Sequence, residues 1–131
     1  MPKFRPIFLL ALAVGILFTL SACTSSADDP AGAAAAYWQA LADKDSAQIS
    51  SLTCADFEAE AQNTFDSFSS VAVELNDLSC KVNSQEGDTA TVYCSGTFVA
   101  SYGTENLTID LADHSYSVVK EGGDWRMCGA K

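Results

Sequence analysis

The chain has 131 residues, 48% of them hydrophobic and 18% charged, a length and balance that suit one domain with a modest core. Seventeen acidic residues against seven basic ones give a formal net charge of −10. So acidic a chain lacks the basic surface that phosphate backbones require, which argues against nucleic acid as a partner.

Lys3 and Arg5 precede an apolar run from Ile7 to Leu20, and the small residues Ser21 and Ala22 then lead to Cys23. A basic head, an apolar middle and small residues before a cut make a secretory signal. The run falls short of the roughly 20 apolar residues that span a bilayer comfortably. The next stretch, Thr24 to Pro30, is polar rather than the flank of a retained helix. Leu20-Ser21-Ala22-Cys23 resembles the lipobox of bacterial lipoproteins. That resemblance implies cleavage after Ala22 and a diacylglycerol on the Cys23 thiol, with the acyl chains holding the protein at the membrane. Residues 1–22 are then the signal, 23–32 a lipidated tether and 33–131 the folded domain. The expected location is the outer face of the cytoplasmic membrane, or the outer membrane where the organism has one. Loss of Lys3 and Arg5 leaves five basic residues against seventeen acidic, so the net charge moves from −10 to −12. Anionic headgroups would repel such a domain and leave the lipid as its attachment.

Thr24 to Gly32 is small and turn-forming, a tether that would reach roughly 30 Å when stretched. Ala33 to Ala42 is alanine-rich, and Tyr37, Trp38 and Leu41 fall close to one stripe, which predicts an amphipathic helix. Asp45 with Gln48 reads as a capping box opening a short second helix that carries Ile49 and Leu52. Thr53 is a candidate cap for a third helix, on which Phe57, Ala61, Phe65 and Phe68 form an apolar stripe.

After Ser70 the period changes to two. Val71, Val73 and Leu75 begin a strand that runs, with a break at Asn76-Asp77, to Val82, and Asn83 to Asp88 is expected as a loop. Thr89 to Tyr102 is a long strand with Ala90, Val92, Cys94, Phe98, Ala100 and Tyr102 on one face, and Gly96 marks a bend or bulge within it. Gly103-Thr104 forms a tight turn into a third strand starting at Leu107, which Ala112-Asp113 interrupts before Tyr116 to Val119. Gly122-Gly123 closes the last hairpin onto Trp125 to Cys128. Helices first and an antiparallel meander after them predict an α+β domain, with the helices packed on one face of a curved sheet of about four strands.

With Cys23 assigned to lipid, Cys54, Cys80, Cys94 and Cys128 remain, an even number suited to an oxidising compartment. No Cys-x-x-Cys pair exists and His114 is the single histidine, so zinc-ligand spacing is missing. Four cysteines allow three pairings. Cys80 and Cys94 lie on neighbouring strands about equally far from the Asn83–Asp88 loop, which favours a cross-strand bond and leaves Cys54 to join Cys128.

Ala36-Tyr37-Trp38-Gln39-Ala40-Leu41-Ala42-Asp43-Lys44-Asp45, followed by Ile49 to Cys54, resembles the opening of nuclear transport factor 2-like domains. Val118 to Gly129, around Gly122-Gly123-Asp124-Trp125, is similar to their last hairpin. The resemblance covers most of residues 31–131 and implies a cone: a curved antiparallel sheet wrapped around a long helix, with a pocket at the wide end. Such domains include isomerases, dehydratases, cyclases and many noncatalytic binding modules, so the fold alone assigns no activity.

For the family's enzymes the resemblance implies an aspartate with a tyrosine and a second acid, or a histidine–aspartate pair. The candidates here are Asp110, Asp113, His114, Tyr93, Tyr102 and Tyr116; Tyr37, Tyr102, Asp110, His114 and Tyr116 are the residues expected at a pocket. Adjacent strand residues face opposite ways, so Asp113 and His114 pair only if the interruption turns them. No nucleophile elbow, phosphate-binding glycine loop or EF-hand spacing is present, and Asp28-Asp29 and Glu58 with Glu60 read as solvated surface. No cofactor or metal is expected. The function these residues favour is that of a noncatalytic ligand-binding or interaction module of the cell envelope. Its expected partners are the membrane through Cys23 and an envelope protein or small apolar ligand. A homodimer through the sheet would use outward-facing Val71, Val73, Tyr93 and Val99. The alternative is a small-pocket enzyme of the ketosteroid-isomerase or dehydratase type.

Overall fold

The computed structural model describes residues 28–131; the expected signal, Cys23 and the part of the expected tether before Asp28 lie outside the described residues. Three helices, α1 (Pro30–Asp43), α2 (Ser46–Leu52) and α3 (Glu58–Phe68), precede five strands: β1 (Ala72–Glu86), β2 (Thr89–Tyr102), β3 (Glu105–Asp110), β4 (Ser115–Glu121) and β5 (Asp124–Ala130). The strands form one strongly curled antiparallel sheet in the order β1-β2-β4-β5. β3 occupies the same side of β2 as β4, farther along it, so the sheet is four strands wide. No helix among the described residues is long and apolar enough to cross a membrane.

α1 begins three residues before the alanine-rich stretch predicted it to, because Asp29 caps it. The Asp29 carboxylate accepts from Gly32 N at 2.8 Å, and Pro30 occupies the first turn, where its missing N–H costs nothing. The far end closes on Lys44, in the left-handed region at φ 58°, where glycine would be usual. A lysine serves here because its Nζ donates to the Val71 carbonyl and ties the helix to the entry of the sheet. Between these ends Ala33, Ala34, Tyr37, Trp38, Ala40 and Leu41 are buried, and the alanines let the helix lie close against the strands.

At α2 the Asp45 carboxylate accepts from Gln48 N at 3.2 Å, as the capping box requires, while Gln48 Nε2 returns to the same carboxylate at 3.1 Å. Thr53 does not cap the third helix. Its hydroxyl donates back to Ile49 O at 2.9 Å, its backbone bridges Met127, and Cys54 N donates to Met127 O at 2.9 Å. These residues are drawn toward β5, and α3 starts four residues later with Glu58 and Glu60 favourably placed in its first turn.

β1 runs through the expected loop to Glu86, leaving a two-residue turn at Gly87-Asp88. The expected break at Asn76-Asp77 is a bulge, with Asp77 at φ 54° and an extra β1 residue between Asn76 and Ser79; a second bulge lies between Val82 and Ser84. Val73 faces Ala100 and Leu75 faces Phe98, so this alternating face turns toward the helices. The expectation that Val71 and Val73 lie on the outer face is thereby corrected: both pack against the core. A 3₁₀ turn over Leu111–Asp113 separates β3 from β4. Gly122 and Gly123 both have positive φ, as a two-residue type I′ hairpin needs. Both expected disulfides are present, Cys54–Cys128 and Cys80–Cys94, with Cα separations of 5.2 and 4.0 Å.

Candidate functional site

The concave face of the sheet is largely filled. Trp38 lies in the middle of α1, its ring centroid 5.7 Å from Tyr37, 5.5 Å from Phe98 and 5.8 Å from Tyr116; Phe68 packs edge-on against Phe98 at 4.9 Å. Aromatic packing of this kind adds directional attraction to a large buried area and leaves little interior space. Among the described residues, a pocket of about 130 Å³ lies between α1, α3 and the last strands.

Its walls come from three sources. Tyr37 and Trp38 enter from α1, Phe57 from the N-cap of α3 and Glu60 and Thr64 from its body, and Tyr116, Met127, Gly129 and Ala130 from β4 and β5. Burial holds the Tyr37 phenol well above its ordinary titration range; the Glu60 carboxylate adds to that, and the Thr64 side chain acts the other way. The indole N–H of Trp38 is buried and finds no acceptor among the described residues.

Burial, with Asp110 and then Asp113 adding to it, pushes Tyr116 up to about 12, and its hydroxyl donates to the Leu111 carbonyl at 3.0 Å. A phenol whose folded pKa lies above its unfolded value of 10 stabilises the fold fully below pH 10, and that contribution fades as pH rises toward 12. Stability is therefore expected to fall through this alkaline window. Tyr116→Phe should make the decline shallower, leaving the part that the raised Tyr37 phenol contributes, while costing about 1 kcal/mol at neutral pH for the lost hydrogen bond. Urea midpoints measured from pH 8 to pH 11.5 check it; an equally steep decline in Tyr116→Phe would assign the effect elsewhere.

Of the residues expected at a pocket, Tyr37 and Tyr116 meet at this one, and Tyr102, Asp110 and His114 do not line it. Tyr102 stands 45% exposed at the β2–β3 hairpin. Asp110 is exposed and accepts from Ala112 N at 3.0 Å, which caps the 3₁₀ turn. Asp113 and His114, at the end of that turn, are exposed as well. A general base must come within about 3 Å of the proton that it moves, and neither Asp110 nor His114 reaches the pocket wall. Glu60 and Thr64 were missed because both read as helix surface. The available signal was their spacing of four, which sets two polar groups side by side along the edge of the apolar stripe. Among the described residues no group of three or more His, Cys, Asp or Glu side chains is arranged to hold a metal ion.

No protein-family model matches the chain, and no curated protein matches it in sequence. Its fold is similar to the solution structure of a SEC-C motif containing protein from Rhodopseudomonas palustris, with a TM-score of 0.52 and 16% identity over 82% of this chain and 80% of that one. At that identity the likeness concerns the fold alone, a curled antiparallel sheet.

Proposed function

We propose that the chain is a small bacterial lipoprotein with a nuclear transport factor 2-like domain, acting outside the cytoplasm as a noncatalytic binding or interaction module. The observation that carries this reading is the filled interior. Ligand and substrate sites commonly occupy about 300–1,000 Å³, and the space left beside Trp38 is about 130 Å³. With Asp110 and His114 outside that space, its titratable lining is Glu60 with Tyr37 and Tyr116, a single acid where the enzymatic alternative calls for two acids or a histidine–aspartate pair.

Two disulfides support an oxidising compartment. The lipobox-like Leu20-Ser21-Ala22-Cys23 supplies the anchor in this reading. Because α1 starts at Pro30, the chain from Cys23 to the domain reaches at most about 25 Å, which keeps the module close to the bilayer. Cys23→Ser is expected to leave a folded domain that leaves the membrane fraction. Continued membrane association through a cleaved N-terminus would sink the anchor. Native mass spectrometry of the purified protein is expected to give the polypeptide and its lipid. A stoichiometric small molecule that departs only on unfolding would move the reading to the interior pocket.

A further inference from the structure

A second and larger depression lies on the outer face of the sheet, away from the helices. It is an open groove of about 420 Å³ lined by Ser84, Glu86, Thr89, Thr91, Ser117 and Lys131. The register explains why these residues meet. Thr91 of β2 faces Ser84 of β1 on one side and Ser117 of β4 on the other, so three hydroxyl side chains form a row across three strands. Thr89 and Glu86 face each other in the next row. In the row on the other side, Tyr93 faces Lys81 and Ser115, and it stands 45% exposed. Ser115 exchanges backbone hydrogen bonds with Lys131, at 2.8 and 3.1 Å, which brings Lys131 to the groove. The bulge between Val82 and Ser84 falls between the Lys81–Tyr93 row and the Ser84–Thr91 row and keeps Ser84 on the same face as Lys81.

The chemistry of this surface selects its occupant. An apolar ligand gains little from walls of hydroxyl, carboxylate and ammonium groups, and a polyanion would meet Glu86 with few cations to hold it. On a domain with seventeen acidic and five basic residues beyond the signal, Glu86 and Lys131 both line this groove and Lys81 lies two rows from Glu86, so the strip is less acidic than the chain as a whole. Hydroxyls both donate and accept, a carboxylate accepts from two neighbouring hydroxyls, and an exposed phenol ring offers a flat apolar platform. Those are the complements of a sugar ring, which presents hydroxyls at its edge and C–H groups on its face. The volume also falls in the range of small-molecule sites.

We propose that this groove binds a short segment of a carbohydrate chain, with one ring stacked on Tyr93 and its neighbour hydrogen-bonded across Ser84, Thr91 and Ser117. The proposal deepens the noncatalytic binding reading and rests on it. The test is calorimetric titration of the full-length protein in detergent with two probes, the β-1,4-linked tetramer of N-acetylglucosamine and maltotetraose. At least one is expected to bind, and Tyr93→Ala and the pair Thr91→Val/Ser117→Ala should each weaken it tenfold or more. The melting temperature should stay unchanged, because all three side chains lie on the solvent side of the sheet. Three results would overturn the site: no binding of either probe, binding that both variants leave intact, or a dimer in sedimentation that Tyr93→Ala separates. Cleavage of a bound tetramer, seen in the products, would keep the site and overturn the noncatalytic reading instead.

Discussion

Removing the Cys54–Cys128 bond with the double substitution Cys54→Ala/Cys128→Ala is expected to destabilise the domain by about 4 kcal/mol. The two cysteines are 74 residues apart in sequence, so the bond removes a large share of the freedom of the unfolded chain. Cys80→Ala/Cys94→Ala opens a loop with a separation of 14 and should cost about 3 kcal/mol by the same reasoning. For a domain of this size, 4 kcal/mol corresponds to a melting temperature lower by roughly 20 °C. The long-loop bond also sits where the helix layer meets β5, beside the Cys54 N to Met127 O hydrogen bond and the Thr53–Met127 bridge. Its loss should therefore loosen α2 and α3 from the sheet before the β1–β2 hairpin opens. Thermal melts of both double variants, with hydrogen exchange on α3, measure the two effects. A larger loss from the Cys80–Cys94 pair would contradict the chain-entropy ordering.

The second large effect is expected at Gly96, where Gly96→Ala should cost about 3 kcal/mol or more. Gly96 has φ 111°, and a Cβ there would stand 2.5 Å from the Asn76 carbonyl oxygen and 2.9 Å from the Asp77 carbonyl carbon and oxygen. Those atoms belong to the β1 bulge, where the backbone folds over β2 at the point that lacks a side chain. The obstacle is backbone, so relief requires the bulge to move, and the register of everything from Asn76 to Ser79 moves with it. Gly103→Ala is the control: its φ of 70° is also unfavourable to alanine, but nothing lies within 4 Å of the added carbon. It should cost only about 1 kcal/mol. Urea unfolding of the two variants separates steric conflict from backbone preference, and equal midpoints would refute the close approach.

Much of the fold was readable in the residues. The stripe Phe57, Ala61, Phe65 and Phe68 and the alternation of Ala90, Val92, Cys94, Phe98 and Ala100 reported which side of each element is buried. Gly103-Thr104 and Gly122-Gly123 mark the turns that join β2 to β3 and β4 to β5. The disulfide pairing came from placing Cys80 and Cys94 on neighbouring strands. The candidate site was less legible. Tyr37 and Tyr116 were named without the partners that meet them, Trp38, Glu60 and Thr64, because those lie on separate elements and their approach depends on how the helices cross the sheet.

The residues alone carried the α+β order, the apolar sides of α3 and β2, the turns at Gly103-Thr104 and Gly122-Gly123 and the cysteine framework, all of which depend on short-range periodicity and local backbone preference. Tertiary structure alone decided which strand face turns inward, since alternation marks an apolar side without saying what covers it; hence Val71 and Val73 face the core. It also decided that Thr53 joins β5 rather than capping α3, and that the 3₁₀ turn carries Asp110 and His114 outward. The row of Ser84, Thr91 and Ser117 likewise exists only through pairing among three strands, with a bulge setting the face. Convergence of side chains depends on register and on interruptions of the regular backbone, and a displacement of one residue reverses both faces of a strand.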